Sequence, residues 1–324
     1  MKPRIIHLLD DQNVGNVTQW IEAISEALND QFEFQLVRSS EIAILRRSDL
    51  VIYHNRCSWK RSRTLLALKR QKLKVILHEH HYSEGYERSQ VRSKIRCRSM
   101  LKLNYQCVDR VVAVSRGQSD WMRSHQLAPF TKLELIPFRV KLDHLMEVSE
   151  KQIQQPFVVG AYGRFVHSEG FDILIKAMRL VPDVFLYLGG HGEDAAALEA
   201  LAADCSNLKF WGRVKDVPGF LSACDAIVIP SRWNPGAVGC GEAKAAGKPV
   251  IAFDIDGLSE QVEDCGILVP PYDVAQLAHA IATMATSSQL ETWSQNARAS
   301  MQGDWELHVE QWNDLLWNLA KLEQ

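Results

Sequence analysis

Short apolar runs alternate with amphipathic stretches along this chain, and that alternation constrains its fold more than any other feature. Residues 5–9, 32–37, 50–53, 74–77, 110–114 and 133–136 are rich in Val, Ile and Leu. Between them, apolar residues recur at helical spacing, as at Trp20, Ile21, Ile24, Ala27 and Leu28 within 14–28; helices are also expected near 58–69 and 117–125, with one long basic helix over 84–106. Strands that are apolar on both faces and joined by helices must run parallel beneath those helices. A polar stretch ending in proline, 141–156, interrupts the pattern, which then restarts with strands at 157–162, 184–188, 208–210, 226–229, 249–252 and 266–269. Helices at 274–284, 289–301 and 305–322 close the chain. Two doubly wound α/β domains are predicted, since 324 residues exceed one simple core.

Charge divides along the same line. Residues 1–150 hold 25 Lys+Arg against 17 Asp+Glu, a net +8, and residues 151–324 hold 12 against 22, a net −10; together they make the −2 of the whole chain. The positive excess concentrates in 56–110, with 15 basic and 4 acidic residues. Arg88, Arg92, Lys94, Arg96, Arg98 and Lys102 are interleaved there with Val91, Ile95, Met100, Leu101 and Leu103, which suits an anionic lipid surface or an acidic glycan as well as a solvated face. No nucleic-acid motif accompanies them, so no nucleic-acid partner is expected. Seven scattered cysteines without CxxC spacing point to free thiols in a reducing compartment. With no run near the ~20 residues a membrane span needs and no leader pattern, the expected location is cytoplasmic, extending to peripheral contact with the inner face of the membrane.

The stretch 225–252, DAIVIPSRWNPGAVGCGEAKAAGKPVIA, reads as strand, loop, helix, turn and strand. A helix starting at Val238 presents free N–H groups at the carboxyl end of the preceding strand, a place suited to phosphate. Glu242, one turn inside, offers a carboxylate to sugar or ribose hydroxyls. This stretch resembles the C-terminal signature of the retaining GT-B glycosyltransferases of the family-four, group 1 type. There two glutamates eight positions apart precede a Gly-x-Pro-Val-(Ile/Val)-Ala strand; Glu242, Ala243, Ala245, Gly247, Pro249, Val250, Ile251 and Ala252 match, and Asn234 replaces the first glutamate.

The resemblance implies the GT-B fold, two Rossmann-like domains facing a cleft: 1–150 for the acceptor, 151–304 for the nucleotide sugar, and a final helix, 305–324, crossing back to the first domain. It further implies that Arg164, in GRFVHSEG, binds the donor diphosphate, with Glu169 standing where the family has lysine and Arg213 or Arg232 as substitute cations. Gly190 and Gly192 in LGGHGED match its Gly-x-Gly turn, and the backbone of 210–213 lies where the nucleobase would. Asn234, Gly236, Ala237 and Val238 would orient the sugar and Glu242 the ribose. In the first domain Gly15 and His80 would meet the donor, while Phe138 and Arg139 replace an expected Asn-Gly. Three histidines in HEHHY, 78–82, also raise a metal, but alternation separates His81 from His78 and His80 and no carboxylate or cysteine pattern joins them. No metal or cofactor is therefore assigned.

The expected activity is retaining transfer of a hexosyl unit from a UDP- or GDP-linked sugar to a glycan or lipid-linked acceptor in surface polysaccharide or glycoconjugate synthesis. Asn234, Glu169 and Phe138-Arg139 together motivate an alternative: a GT-B subunit impaired in transfer that binds nucleotide sugar or scaffolds an active partner. A GT-B sugar-nucleotide epimerase is a third, more remote reading.

Overall fold

The computed structural model describes residues 2–10, 15–149 and 156–321. Two compact units emerge, 1–141 with 303–324 and 142–302. The first begins β1 (Arg4–Leu8), α1 (Gly15–Ala27), β2 (Glu33–Val37), β3 (Leu50–Tyr53), α2 (Ser62–Arg70) and β4 (Lys74–Glu79). It continues α3 (Glu84–Gln90), α4 (Lys94–Gln106), β5 (Arg110–Ala113), α5 (Arg116–Ser124) and β6 (Leu133–Leu135). All its strands are parallel, in the order β2-β1-β3-β4-β5-β6. The order turns back between β1 and β3, the place where sheets of this type hold ligands.

The single basic helix expected over 84–106 is two helices. Ser93 Oγ accepts from the Arg96 amide and starts α4 afresh, while Val91 has left the helix with extended backbone. Arg98 then forks onto Glu87 across the break (2.7 and 2.6 Å), and Arg88 pairs with Glu84. Arg92, Lys94, Arg96 and Lys102 stand in no ion pair among the described residues. Ile95 is 82% exposed beside them.

The second unit opens with a short helix, α6 (Asp143–Met146), inside the stretch expected to be a linker. Leu142, Leu145 and Val148 are buried, and Arg298 donates to the carbonyls of Met146 (2.7 Å), Val148 (2.9 Å) and Ala246 (3.2 Å). Those bonds draw the start of the linker into this unit, which is why the division falls at 141/142 and not at 150/151. The rest of that stretch, 150–155, lies outside the described residues.

Next come β7 (Phe157–Arg164), α7 (Phe171–Met178), β8 (Val184–His191), α8 (Ala195–Leu201), β9 (Leu208–Gly212), α9 (Val217–Ala223) and β10 (Ala226–Ile229). They are followed by α10 (Val238–Ala245), β11 (Val250–Phe253), α11 (Leu258–Val262), β12 (Gly266–Val269), α12 (Val274–Ala285) and α13 (Leu290–Ala299). The parallel sheet runs β12-β11-β10-β7-β8-β9 and turns back between β7 and β10.

The last helix, α14 (Asp304–Ala320), belongs to the first unit. Trp312, fully buried, packs 4.9 Å from Trp20, whose indole N–H donates to His308 Nε2 at 2.7 Å. Trp317 donates to Gln31. Phe138 joins this aromatic cluster at 4% exposure, and Arg139 pairs with Asp304 at the start of α14 (2.5 Å). The Phe138-Arg139 departure thus has a structural use: it fastens the final helix.

Candidate functional site

Three segments meet at the β7/β10 turning point of the second unit. β7 ends in Tyr162, Gly163 and an exposed Arg164; β10 gives way to the loop 230–237; that loop leads into α10. Ala237 caps α10 in the left-handed region (φ 45°), and its carbonyl accepts from Cys240 (3.0 Å) and Gly241 (3.4 Å). Among the described residues, the amides of Val238 and Gly239 in the first turn donate to no backbone carbonyl. A methyl group at Gly239 would meet nothing within 4 Å, so the space over that turn is open.

Glu242 is half-buried in α10, and the Tyr162 hydroxyl donates to its Oε2 at 2.6 Å. Burial pushes the Glu242 carboxyl above the ordinary glutamate range, and the Tyr162 bond partly opposes this. Burial, then the neighbouring carboxylate, pushes the tyrosine far up, so it stays a donor. Among the described residues, no hydrogen bond reaches the other carboxylate oxygen. Sequence reasoning missed Tyr162; its position two residues before Arg164, on the same face of β7, was the available signal.

Glu169, at the lysine position, is turned toward the protein. Its Oε2 accepts from Ser231 Oγ at 3.4 Å, and burial raises its pKa against the pull of Arg164 and Ser231. Arg232 is not a spare cation. It forks onto Asp172 (2.9 and 2.9 Å) and donates through its side chain to the His167 carbonyl and through its backbone to the Ser168 carbonyl. Arg213 follows β9 at the sheet edge, exposed and two strands from β7. Arg164 ends β7, at the turning point.

Asn234 holds the loop. Its Oδ1 accepts from the Ala237 amide (2.8 Å) and its own amide donates to Asp256 Oδ2 (3.0 Å). An uncharged side chain suits an Asx-type turn that leads the chain into α10. Asp256 and Asp172 are loop-setting residues that the sequence did not single out.

Glycine at Gly190 and Gly192 answers first to the protein itself. A Cβ at Gly190 would lie 2.1 Å from the Gly163 carbonyl, and one at Gly192 2.3 Å from that of Phe165. The Gly-x-Gly turn therefore lets the ends of β7 and β8 press together, with Phe165 N donating to the His191 carbonyl at 2.7 Å. Gly236 is half-buried in the loop before α10.

In the first unit, Gly15 opens α1 with nothing within 4 Å of its Cβ position; the loop before it, 11–14, lies outside the described residues. His80 follows β4 in a segment pinned by Glu79. That buried carboxylate accepts from the His81 and Tyr82 amides (2.9 and 3.2 Å) and from the Tyr105 hydroxyl (2.8 Å), while Gln118 donates to the Glu79 and Tyr82 carbonyls. His80 Nε2 lies 3.2 Å from His54 Nδ1, and His54 Nε2 lies 3.0 Å from His7 Nδ1. Burial holds His54, His78 and His80 well below the usual histidine range and lowers His7 to about 3, so these rings are neutral.

Residues 146–300 match the family described as glycosyl transferases group 1. That match falls within the second unit, 142–302. Over 184 residues the chain is 33% identical to the lipopolysaccharide core biosynthesis glycosyltransferase LpsD of Rhizobium meliloti, covering 54% of this chain and 51% of that protein. A D-inositol 3-phosphate glycosyltransferase from a Mycobacterium species is 32% identical over 139 residues, 39% of this chain and 32% of that one. The chain thus spans about half or less of the length of these curated relatives. In fold, sucrose-phosphate synthase from Thermosynechococcus elongatus aligns over 98% of this chain and 99% of its own with a TM-score of 0.83 at 18% identity. Anabaena HepE, solved in complex with UDP and glucose, aligns over 96% and 98% with a TM-score of 0.75 at 20% identity. The chain therefore has the two-Rossmann-domain GT-B fold.

Proposed function

We propose that this chain is a glycosyltransferase that moves a hexosyl unit, with retention, from a nucleoside diphosphate sugar to a glycan or lipid-linked acceptor in surface polysaccharide synthesis. The observation that carries this reading is the arrangement at the β7/β10 turning point: a carboxylate, Glu242, oriented by Tyr162 one turn inside a helix whose open N-terminus stands beside Arg164's strand. The α10 amides and Arg164 take the charge of the departing diphosphate, and Glu242 accepts from the ribose hydroxyls. Loss of the diphosphate leaves an oxocarbenium-like sugar, and fixed donors aimed at the developing negative charge lower that barrier without a protein nucleophile. The side chain of Asn234 sets the loop, so sugar orientation falls to the backbone of Gly236, Ala237 and Val238. No metal ion is required for the transfer. Similarity to LpsD supports polysaccharide as the destination, and the UDP complexes of HepE support the donor class.

The test is sugar transfer and hydrolysis measured across UDP- and GDP-linked donors with Glu242→Ala as control. Wild type acting no better than the variant on every donor would remove the transfer reading. One observation favours a second reading: a carboxylate, Glu169, fills the place of the second diphosphate cation. A chain that binds nucleotide sugar but transfers only when copurified with another transferase would establish it.

A further inference from the structure

The histidines at the carboxyl ends of β3 and β4 form a group in the first unit, outside the β7/β10 turning point. His54, His78 and His80 each turn a ring nitrogen toward the others, with all three atoms within 4.8 Å of one another. His54 Nδ1 and His80 Nε2 are 3.2 Å apart. Two nitrogens bound to one tetrahedral zinc at ~2.0–2.1 Å are separated by about 3.3 Å, so this pair already has the spacing of a ligand edge. His78 adds an independent sign. It is 1% exposed, and neither of its ring nitrogens has a hydrogen-bond partner among the described residues. A buried imidazole must carry at least one N–H and one lone pair, and leaving both unmet is unusual in a folded core. Its ring is wedged between the indoles of Trp20 and Trp312, each centroid 4.8 Å away, and 4.0 Å from the ring of His80.

We infer that His54, His78 and His80 form a binding site for a divalent transition-metal ion of the zinc class in the first unit. The donor set is three imidazoles without oxygen, which selects zinc, cobalt or nickel over magnesium or calcium. The nearest carboxylate on the same strand, Glu79, is committed to Tyr105 and to the His81 and Tyr82 amides, so it does not compete. A supporting partner is in place, because His54 Nε2 meets His7 Nδ1 at 3.0 Å while Nδ1 is left for the ion. Ligating imidazoles characteristically hold such a bond through the second nitrogen, which fixes the tautomer. The site was invisible in sequence, where His54 is far from the HEHHY run; β3 and β4 pair as neighbours and bring them together. Of the three, only His80 is more than marginally exposed, so the ion enters past it. Three protein ligands leave a coordination position for water or an incoming group.

The experiment uses the full chain, stripped with a chelator and dialysed against Zn2+ or Co2+, with bound metal measured by atomic emission and thermal unfolding followed with and without ion. The expected result is one ion per chain, a visible Co2+ absorption of low-symmetry type, and a raised unfolding midpoint. His80→Ala, at the edge of the cluster, abolishes saturable binding while its metal-free unfolding stays near that of the native chain. His81→Ala, outside the triad, binds as the native chain does. His7→Ala weakens binding about 10–100-fold, the effect of removing a supporting partner. A native chain that stays empty with both ions, or one whose stoichiometry is unchanged by His80→Ala and His54→Ala, overturns the site. Sugar transfer is not the readout, so this outcome is independent of the activity proposed above.

Discussion

Replacing Gly170 by alanine separates backbone strain from steric overlap at the turning point of the second unit. Gly170 has φ 70°, and a Cβ there would lie 1.9 Å from the Pro230 carbonyl oxygen. Gly212 has φ 80° in the same unit, with nothing within 4 Å of its Cβ position. Both substitutions incur the left-handed penalty of an alanine, about 1–2 kcal/mol. Only Gly170→Ala adds the overlap. Its obstacle is backbone, which cannot swing aside, so the loops after β7 and β10 must separate by roughly an ångström. Overpacking of that kind costs a further ~1–3 kcal/mol. The total of about 2–5 kcal/mol corresponds to a fall of roughly 4–20 °C in the unfolding midpoint for a unit of this size, against about 2–8 °C for Gly212→Ala. Differential scanning calorimetry of the two variants reads the difference, and nucleotide-sugar titration reads the site. If the proposed donor site is right, parting these loops should also lower UDP-sugar affinity in Gly170→Ala and not in Gly212→Ala. Equal losses of stability in the two variants would refute the steric account.

Burial raises the pKa of Glu169, so the folded state holds this proton more tightly than the unfolded chain; Glu169 therefore favours folding least once pH has risen through its folded pKa. Glu169→Gln should accordingly raise the unfolding midpoint at pH 7–8, with the gain vanishing as pH falls toward the ordinary value of 4.5. His308 behaves oppositely: burial lowers its pKa from 6.5 to about 3, so the stability it carries is complete above 6.5 and is lost as pH falls toward 3. Acid unfolding followed by tryptophan fluorescence, which Trp20, Trp305 and Trp312 around His308 report, should show a shallower loss over that window in His308→Gln. On the basic helix, Lys94→Glu with Arg96→Glu should weaken binding to anionic vesicles more than Arg98→Gln does, because Arg98 is already engaged by Glu87; cosedimentation at two salt concentrations measures it, and equal effects would count against a lipid-facing role for this surface.

Much of the chemistry was legible locally. The alternation of β-branched runs with helical spacing is set by which residues can be buried on two faces, so strands such as β3 and β10 stand where the sequence places them. Helix starts written in single residues were legible in principle too: Ser83, Ser93, Ser115, Asp216 and Asp273 each accept from an amide three residues on. The break at Ser93 went unread because the apolar and basic residues continue across it with helical spacing. A cap changes one hydrogen bond and leaves periodicity intact.

The sequence by itself determined the two α/β units, the phosphate-suited helix start at Val238 and the carboxylate at Glu242, because each depends on residues close together in the chain. Tertiary structure alone decided what the departures mean. Glu169 turns to Ser231, Arg232 to Asp172, Asn234 to the Ala237 amide, and Phe138 with Arg139 to the final helix. It also decided that His54 joins His78 and His80. Side-chain partnership depends on which strands become neighbours and which loops press together, and those distances are fixed only when the whole sheet has formed.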